Sequence, residues 1–195
     1  MSPTRVLPQL NELSSKVFLV GMPGCGKSTV GKELAQRLQY TFLDLDTVIE
    51  EQEGCTVPQV FEQRGQEYFR QAEARALRLA AARPEHLVLA TGGGAPCFCE
   101  NMAFMVSQGT TVYLKLTPTE LMDRLRPSDL QSRPLLRDKS PDELLRYLSD
   151  TLHQREPFYQ QAFCQVAAGA SSVSAIAQEI VQCLPGATDQ VSGCI

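Results

Sequence analysis

The chain predicts a three-layer α/β/α fold, a five-stranded parallel sheet with helices on both faces, and three observations carry that prediction. Short apolar runs alternate with stretches of helical period along residues 16–184, which is the rhythm of βαβ units. The first run, KVFLV at 16–20, opens straight into a glycine-rich turn and a helical pattern, KSTVGKELAQRL. A later run, LVLAT at 87–91, is almost continuously apolar, as a strand covered on both faces should be.

Each element has a local reason. Residues 1–15, with Pro3 and Pro8, read as an N-terminal arm before the first strand. In the first helix Val30, Leu34, Leu38 and Ala35 form an apolar face, while Lys32, Glu33 and Arg37 take the other side. Thr41 to Leu45 predicts a second strand leading into Asp44-Leu45-Asp46, where alternation sets both carboxylates on one face. A helical piece then runs to Gly54, Thr56 caps a second piece reading VPQVFEQRG, and Gln66 to Arg83 predicts a long helix rich in Ala, Leu, Arg and Glu. The strand at 87–91 runs directly into Gly92-Gly93-Gly94, which invites a ligand close to the backbone. A helix from Phe98 to Gln108 and a strand from Thr111 to Leu116 come next. Thr117-Pro118-Thr119-Glu120 is a capping box whose helix is expected to end near Arg126. PSDLQSRPLLRD at 127–138 is polar and proline-bearing, a candidate lid. Ser140-Pro141-Asp142-Glu143 repeats the capping pattern and starts a helix expected to break at Pro157. Phe163 to Ala167 predicts a weak fifth strand, Ser174 to Leu184 a last helix, and 185–195 a flexible tail.

The 195 residues, 43% hydrophobic and 21% charged, suit a single well-buried domain rather than a disordered chain. A net charge of -4 argues against a nucleic-acid surface, for which a basic face is expected. The N-terminus lacks a signal-peptide core and no apolar run approaches bilayer length, so a soluble cytoplasmic protein without a membrane partner is expected. Seven cysteines, an odd number without a C-x-x-C pair, read as reduced thiols, and Cys97 and Cys99 as incidental neighbours. Cys25, in the glycine turn at a helix start, reads either as an acidified, oxidisable thiol or as a small tolerated side chain. His86 and His153 read as surface residues.

Chemistry concentrates in the first turn. Gly21, Gly26, Lys27 and Ser28 satisfy G-x-x-x-x-G-K-[ST] with both flanking elements in place. Glycines let the backbone curl around phosphates, so that the amides of Gly24 to Ser28 and the positive helix end point at them. Lys27 adds a full charge, and the Ser28 hydroxyl is placed for a magnesium ion bridging the β- and γ-phosphates.

Taken with five further motifs, this turn identifies a family. Over about residues 16–184 the chain resembles the shikimate kinases, with GMPGCGKSTVGKELA, FLDLDTVIEE, VFEQRGQEYFRQAE, ATGGGA, SRPLL and QREPFY in order. The resemblance implies a P-loop kinase fold of strand order 2-3-1-4-5 with a lid. It also implies transfer of a phosphoryl group from ATP to the 3-hydroxyl of shikimate, on the route to chorismate and the aromatic amino acids, by a monomer using one Mg2+. By that resemblance Gly24, Cys25, Gly26, Lys27, Ser28 and Thr29 would hold the ATP phosphates, with Ser28 on the metal directly and Asp44 through water. Arg126 would stack on adenine and Arg133, in the lid, would reach the γ-phosphate. Asp46 would bind the ring hydroxyls and help deprotonate the 3-hydroxyl. Arg70 and Arg155 would clamp the carboxylate, a task for planar forks. Gly92, Gly93 and Gly94 would bring backbone to the substrate, and Phe61 and Phe69 would wall the pocket. Lys27, Asp46 and Arg133 form the catalytic set.

Blander readings stand beside these. Arg70 and Glu73 alone describe a solvated i, i+3 helix pair. Asp44 and Asp46 describe an ordinary strand end, Arg155 a surface residue, and Phe61 and Phe69 core. The AAGASSVS loop departs from the family, with Ser171 and Ser172 where an arginine or proline often meets adenine, and FCQVAA lacks the usual acidic ending. The competing functions are another small-molecule or nucleoside monophosphate kinase, which has no need of Gly92 to Gly94 beside Arg70 and Asp46, and a non-catalytic nucleotide-binding module. A GTPase-like switch belongs to the same second class, and neither its N-K-x-D guanine signature nor D-x-x-G is present; against a module without catalysis, Lys27, Asp46 and Arg133 are all intact.

Overall fold

The computed structural model describes residues 15–124 and 139–185. The expected lid at 127–138, Arg126 and Arg133, the arm up to residue 14 and the tail from residue 186 lie outside the described residues. Five strands, β1 (Lys16–Val20), β2 (Thr41–Asp44), β3 (Leu87–Ala90), β4 (Thr110–Lys115) and β5 (Cys164–Ala167), make one sheet of order β2-β3-β1-β4-β5. Every pairing is parallel, with Val17 opposite Val88 on one side and Thr110 on the other. The helices are α1 (Lys27–Leu38), α2 (Leu45–Glu53), α3 (Val57–Ala81), α4 (Asn101–Gln108), α5 (Pro118–Arg124), α6 (Pro141–Tyr159) and α7 (Val173–Cys183), with a 3-10 turn at Ala95–Cys97.

The sheet order fixes which face each helix covers. Right-handed crossovers moving from β1 out to β2 and then back across the sheet put α1 on one face and the later crossover helices on the other. After β5 the chain returns to the α1 side. There Arg37 of α1 donates to Gln178 at 2.9 Å and Ser174 at 2.7 Å on α7. β1 is therefore central and dry, with Phe18, Leu19 and Val20 each 0% exposed, and each such large side chain contributes about 1.5–3 kcal/mol. Among the described residues no helix is long and apolar enough to cross a membrane.

Four details correct the sequence reading. β2 stops at Asp44, because Leu45 turns into the core as the first residue of α2. Asp44 caps that helix, its side chain accepting from the Asp46 amide at 3.2 Å, so Asp44 and Asp46 do not share a strand face. The helix expected from Phe98 begins at Asn101, since the chain first makes the 3-10 turn and then passes through Cys99 and Glu100 with left-handed φ of 51° and 54°. α6 runs through Pro157 to Tyr159, whose ring is fully buried against Tyr113 at 5.1 Å between centroids. Tertiary anchoring there outweighs the single backbone bond a proline removes so near a helix end. The two helical pieces expected before and after Gly65 are both present, joined at a non-helical Gly65 (φ 78°, ψ 176°) inside α3. The capping boxes close as expected, Glu120 onto Thr117 and Glu143 onto Ser140.

Candidate active site

The strands all point one way, so the loops leaving β1, β3 and β5 gather at one edge of the sheet, where ligands bind in open α/β sheets. The loop after β1 turns through Gly24 (φ 85°) and Gly26 (φ 99°), conformations that only glycine reaches without strain, and delivers the first turn of α1 to that edge. Lys27 is buried, and its Nζ donates to the carbonyls of Gly21 and Met22, both at 2.9 Å. Ser28 Oγ donates to Asp44 Oδ2 at 2.6 Å. Asp44 thus joins the start of α1 to the start of α2 through one carboxylate. Arg124 closes the loop from the other side, donating to the Cys25 carbonyl at 3.2 Å and to the Ala168 and Gly169 carbonyls after β5. Cys25 is fully buried with its Sγ 3.6 Å from Lys27 Nζ. The exposure an oxidisable thiol needs is missing, and the small tolerated side chain is the reading that fits.

Beside this loop, glycines are required by space. A Cβ on Gly93 would lie 2.5 Å from Pro23, within the phosphate loop itself. A Cβ on Gly92 would stand 2.7 Å from Glu73 Oε1 and 3.5 Å from Asp46 Oδ1. One on Gly94 would stand 2.8 Å and 2.9 Å from the two Arg70 Nη atoms. Arg70 Nη1 donates to Glu73 Oε2 at 2.7 Å, with the Glu73 side chain 1% exposed and that of Arg70 16%. This is not the solvated helix pair that spacing alone suggests. Burial pushes the Glu73 carboxyl above its ordinary range, the charge and hydrogen bond of Arg70 pull it back, Asp46 adds to the upward push, and Arg155 opposes it. Arg155 also offsets burial at Cys97 and at the Tyr159 phenol. The Tyr159 hydroxyl in turn donates to the Gly93 carbonyl. Asp46, Arg70 and Glu73 therefore meet at the Gly92 to Gly94 turn, which packs on Pro23 of the phosphate loop, and the charge of Arg155 reaches Glu73.

The two phenylalanines divide. Phe69 is buried and Phe61 partly exposed, their ring centroids 4.1 Å apart and their planes tilted by 30°. Phe98, Glu73, Tyr159 and Arg124 were not singled out as site residues by sequence reasoning. Glu73 carried a usable signal in its i, i+3 spacing from Arg70, and Tyr159 in closing the QREPFY motif.

A glycine-lined phosphate cradle with a buried lysine, set beside a cluster of Arg70, Glu73 and Asp46 at a triple-glycine turn, defines the class as a P-loop kinase for a small acceptor. The family model for shikimate kinase matches residues 23–185. A shikimate kinase from Parabacteroides distasonis is 46% identical over 147 residues, covering 75% of this chain and 84% of its own. The crystal structure of the Bacteroides thetaiotaomicron shikimate kinase superposes with a TM-score of 0.80 at 40% identity, over 86% of this chain and 96% of that one. The Acinetobacter baumannii shikimate kinase, solved in complex with shikimate, gives a TM-score of 0.76 at 37% identity, over 86% of this chain and 90% of that one. The chain belongs to the shikimate kinase family.

Proposed function

We infer that the chain transfers the γ-phosphoryl group of ATP to the 3-hydroxyl of shikimate, yielding shikimate 3-phosphate and ADP. The observation that carries this reading is the crowding of Asp46, Arg70 and Glu73 around Gly92 to Gly94, with the charge of Arg155 acting on Glu73 and Gly93 packed on Pro23 of the phosphate loop. A pocket of that charge pattern suits a small ring acid bearing hydroxyls. The nucleoside monophosphate kinase alternative has no use for it.

In this reading the amides of Gly24 to Thr29 and the Lys27 ammonium bind the β- and γ-phosphates, held by the positive end of α1. Arg70 and Arg155 hold the acceptor carboxylate, and Asp46 accepts from the ring hydroxyls and takes up the 3-hydroxyl proton as the phosphorus–oxygen bond forms. Glu73 keeps one edge of Arg70 occupied, which orients the other toward the acceptor. Phe61, 37% exposed, walls the pocket, and buried Phe69 backs it from the core. Arg133 meets the migrating phosphoryl group and Arg126 the adenine. Positioning of the two reactants is the main work asked of the protein.

The Ser28 and Asp44 pair, two hard oxygen donors 2.6 Å apart at the phosphate end, fits Mg2+. Ser28 would bind the ion directly and Asp44 through water. Among the described residues no group of three or more His, Cys, Asp or Glu assembles to hold a metal alone, so the other ligands fall to phosphate oxygens and water. When bound, the ion neutralises phosphate charge.

The test is ATP consumption by the full chain with and without shikimate, for wild type and Arg70→Ala. Shikimate-dependent turnover, with the variant raised in KM for shikimate far more than for ATP, is expected. Turnover indifferent to shikimate refutes the function, and equal loss for both substrates refutes the carboxylate assignment.

A further inference from the structure

The Arg70 guanidinium is confined on several sides, and one confining group comes from a turn whose conformation is costly. Nη1 is committed to Glu73 at 2.7 Å, Gly94 backs both Nη atoms, and Nε is buried without a partner among the described residues. The Phe98 ring centroid lies 4.3 Å from the guanidinium carbon and that of Phe69 5.1 Å. Phe69 is core. Phe98 is 36% exposed, so apolar burial alone does not account for its place.

What places it is the segment around it. The chain leaves the Ala95–Cys97 turn, extends at Phe98 (φ -128°, ψ 157°), then takes Cys99 and Glu100 through consecutive left-handed conformations. Neither residue type favours that region, so the surroundings must impose it. Arg78 does so by donating to the Cys99 carbonyl at 3.1 Å and to Asn101 Oδ1 at 2.9 Å. Fully buried Asn101 donates to the Ala95 carbonyl at 3.0 Å. Cys99 Sγ reaches the Arg70 carbonyl at 3.6 Å. The outcome of this reinforced turn is an aromatic face on the Arg70 guanidinium.

We propose that Phe98 is a positioning residue for the phosphate acceptor, its ring face holding the Arg70 guanidinium in the plane in which it receives the acceptor carboxylate. The proposal rests on the assignment of Arg70 to that carboxylate made above. Nη1 is given to Glu73 and Nε is buried, so Nη2 is left to meet the acceptor carboxylate and needs the guanidinium held in a fixed plane. A stacked ring supplies that plane, attracts the cation more strongly where water is excluded, and removes ordering that binding would otherwise have to impose.

Steady-state kinetics for Phe98→Tyr, Phe98→Leu, Phe98→Ala and Arg70→Ala, with calorimetric binding of shikimate alone, test it. Phe98→Leu and Phe98→Ala are expected to raise KM and Kd for shikimate roughly tenfold, with kcat and KM for ATP within about twofold. Phe98→Tyr, which keeps the ring face, is expected to match wild type. A leucine variant equal to wild type overturns the proposal, because bulk would then suffice. So does a rise in both KM values with a fall in kcat in all three Phe98 variants, which marks a merely structural role. Should the alanine variant fail to fold, the leucine and tyrosine variants decide. If Arg70→Ala weakens shikimate binding while Phe98→Leu does not, only this proposal fails. If Arg70→Ala leaves shikimate binding intact, the carboxylate assignment fails with it.

Discussion

Gly94→Ala adds one methyl group beside Arg70 and removes no charge, which makes it a sharp probe of how tightly that guanidinium is held. Gly94 sits at φ -91° and ψ -17°, ordinary for alanine, so the backbone bears no strain. The new Cβ would stand 2.8 Å from Nη2, whereas ordinary contact begins at 3.4 Å, so the guanidinium must retreat by about 0.6 Å. Retreat is opposed by the 2.7 Å bond to Glu73 and by the Phe69 and Phe98 rings. Misplacement of a binding group on that scale lowers kcat/KM by about ten- to a hundredfold, or about 1.4–2.7 kcal/mol of transition-state stabilisation. A coupled assay of ADP release, titrating shikimate at saturating ATP and then the reverse, gives both constants. The loss is expected for shikimate, with KM for ATP within about twofold. Unchanged shikimate kinetics would show that the guanidinium yields freely, and the account of a confined fork would be wrong.

Glu73 predicts a pH signature. Burial, opposed by Arg70, raises its carboxyl above the ordinary 4.5, so its contribution to stability is fully present below that pH and is lost as pH climbs through the raised value. Chemical unfolding of wild type and Glu73→Gln, which cannot titrate, should show the wild-type advantage shrinking above about pH 4.5 and then levelling; a constant difference from pH 4 to 8 excludes this. Asp44→Asn keeps a good helix cap, so stability should hold within about 0.5 kcal/mol, while the Mg2+ concentration for half-maximal rate rises severalfold. An unaltered Mg2+ requirement removes Asp44 from the metal. Arg133→Ala is expected to slow turnover by about a thousandfold or more, and wild-type rate would exclude a phosphate-reaching role.

What was legible in the sequence was what closes within a few residues or repeats along the chain. The phosphate loop and the Thr117 and Ser140 boxes each complete their hydrogen bonds locally, and the sheet rhythm follows from apolar period. Asp44 and Asp46 misled because alternation assumes a strand that continues, and the strand had already become a cap. Pro157 misled because its helix is held from outside, by Tyr159 bonded to the Gly93 carbonyl. The burial of Glu73 depends on Gly92, Asp46 and Arg155 arriving from elsewhere in the chain. Phe98 had no signal at all, since it is aimed by left-handed turns at Cys99 and Glu100, residue types that do not announce them.

The central position of β1 has a consequence during synthesis. Its hydrogen-bonding neighbours begin only at Leu87 and Thr110, and the carbonyl of Cys25 is held by Arg124, itself tied to Ala168 and Gly169. On the ribosome β1 and the glycine loop after it emerge before every strand they pack with, and their scaffold is complete only when β5 and the loop after it have followed. The glycine loop is thus made before the groups that hold it, and chains cut short before Gly169 leave that support unfinished.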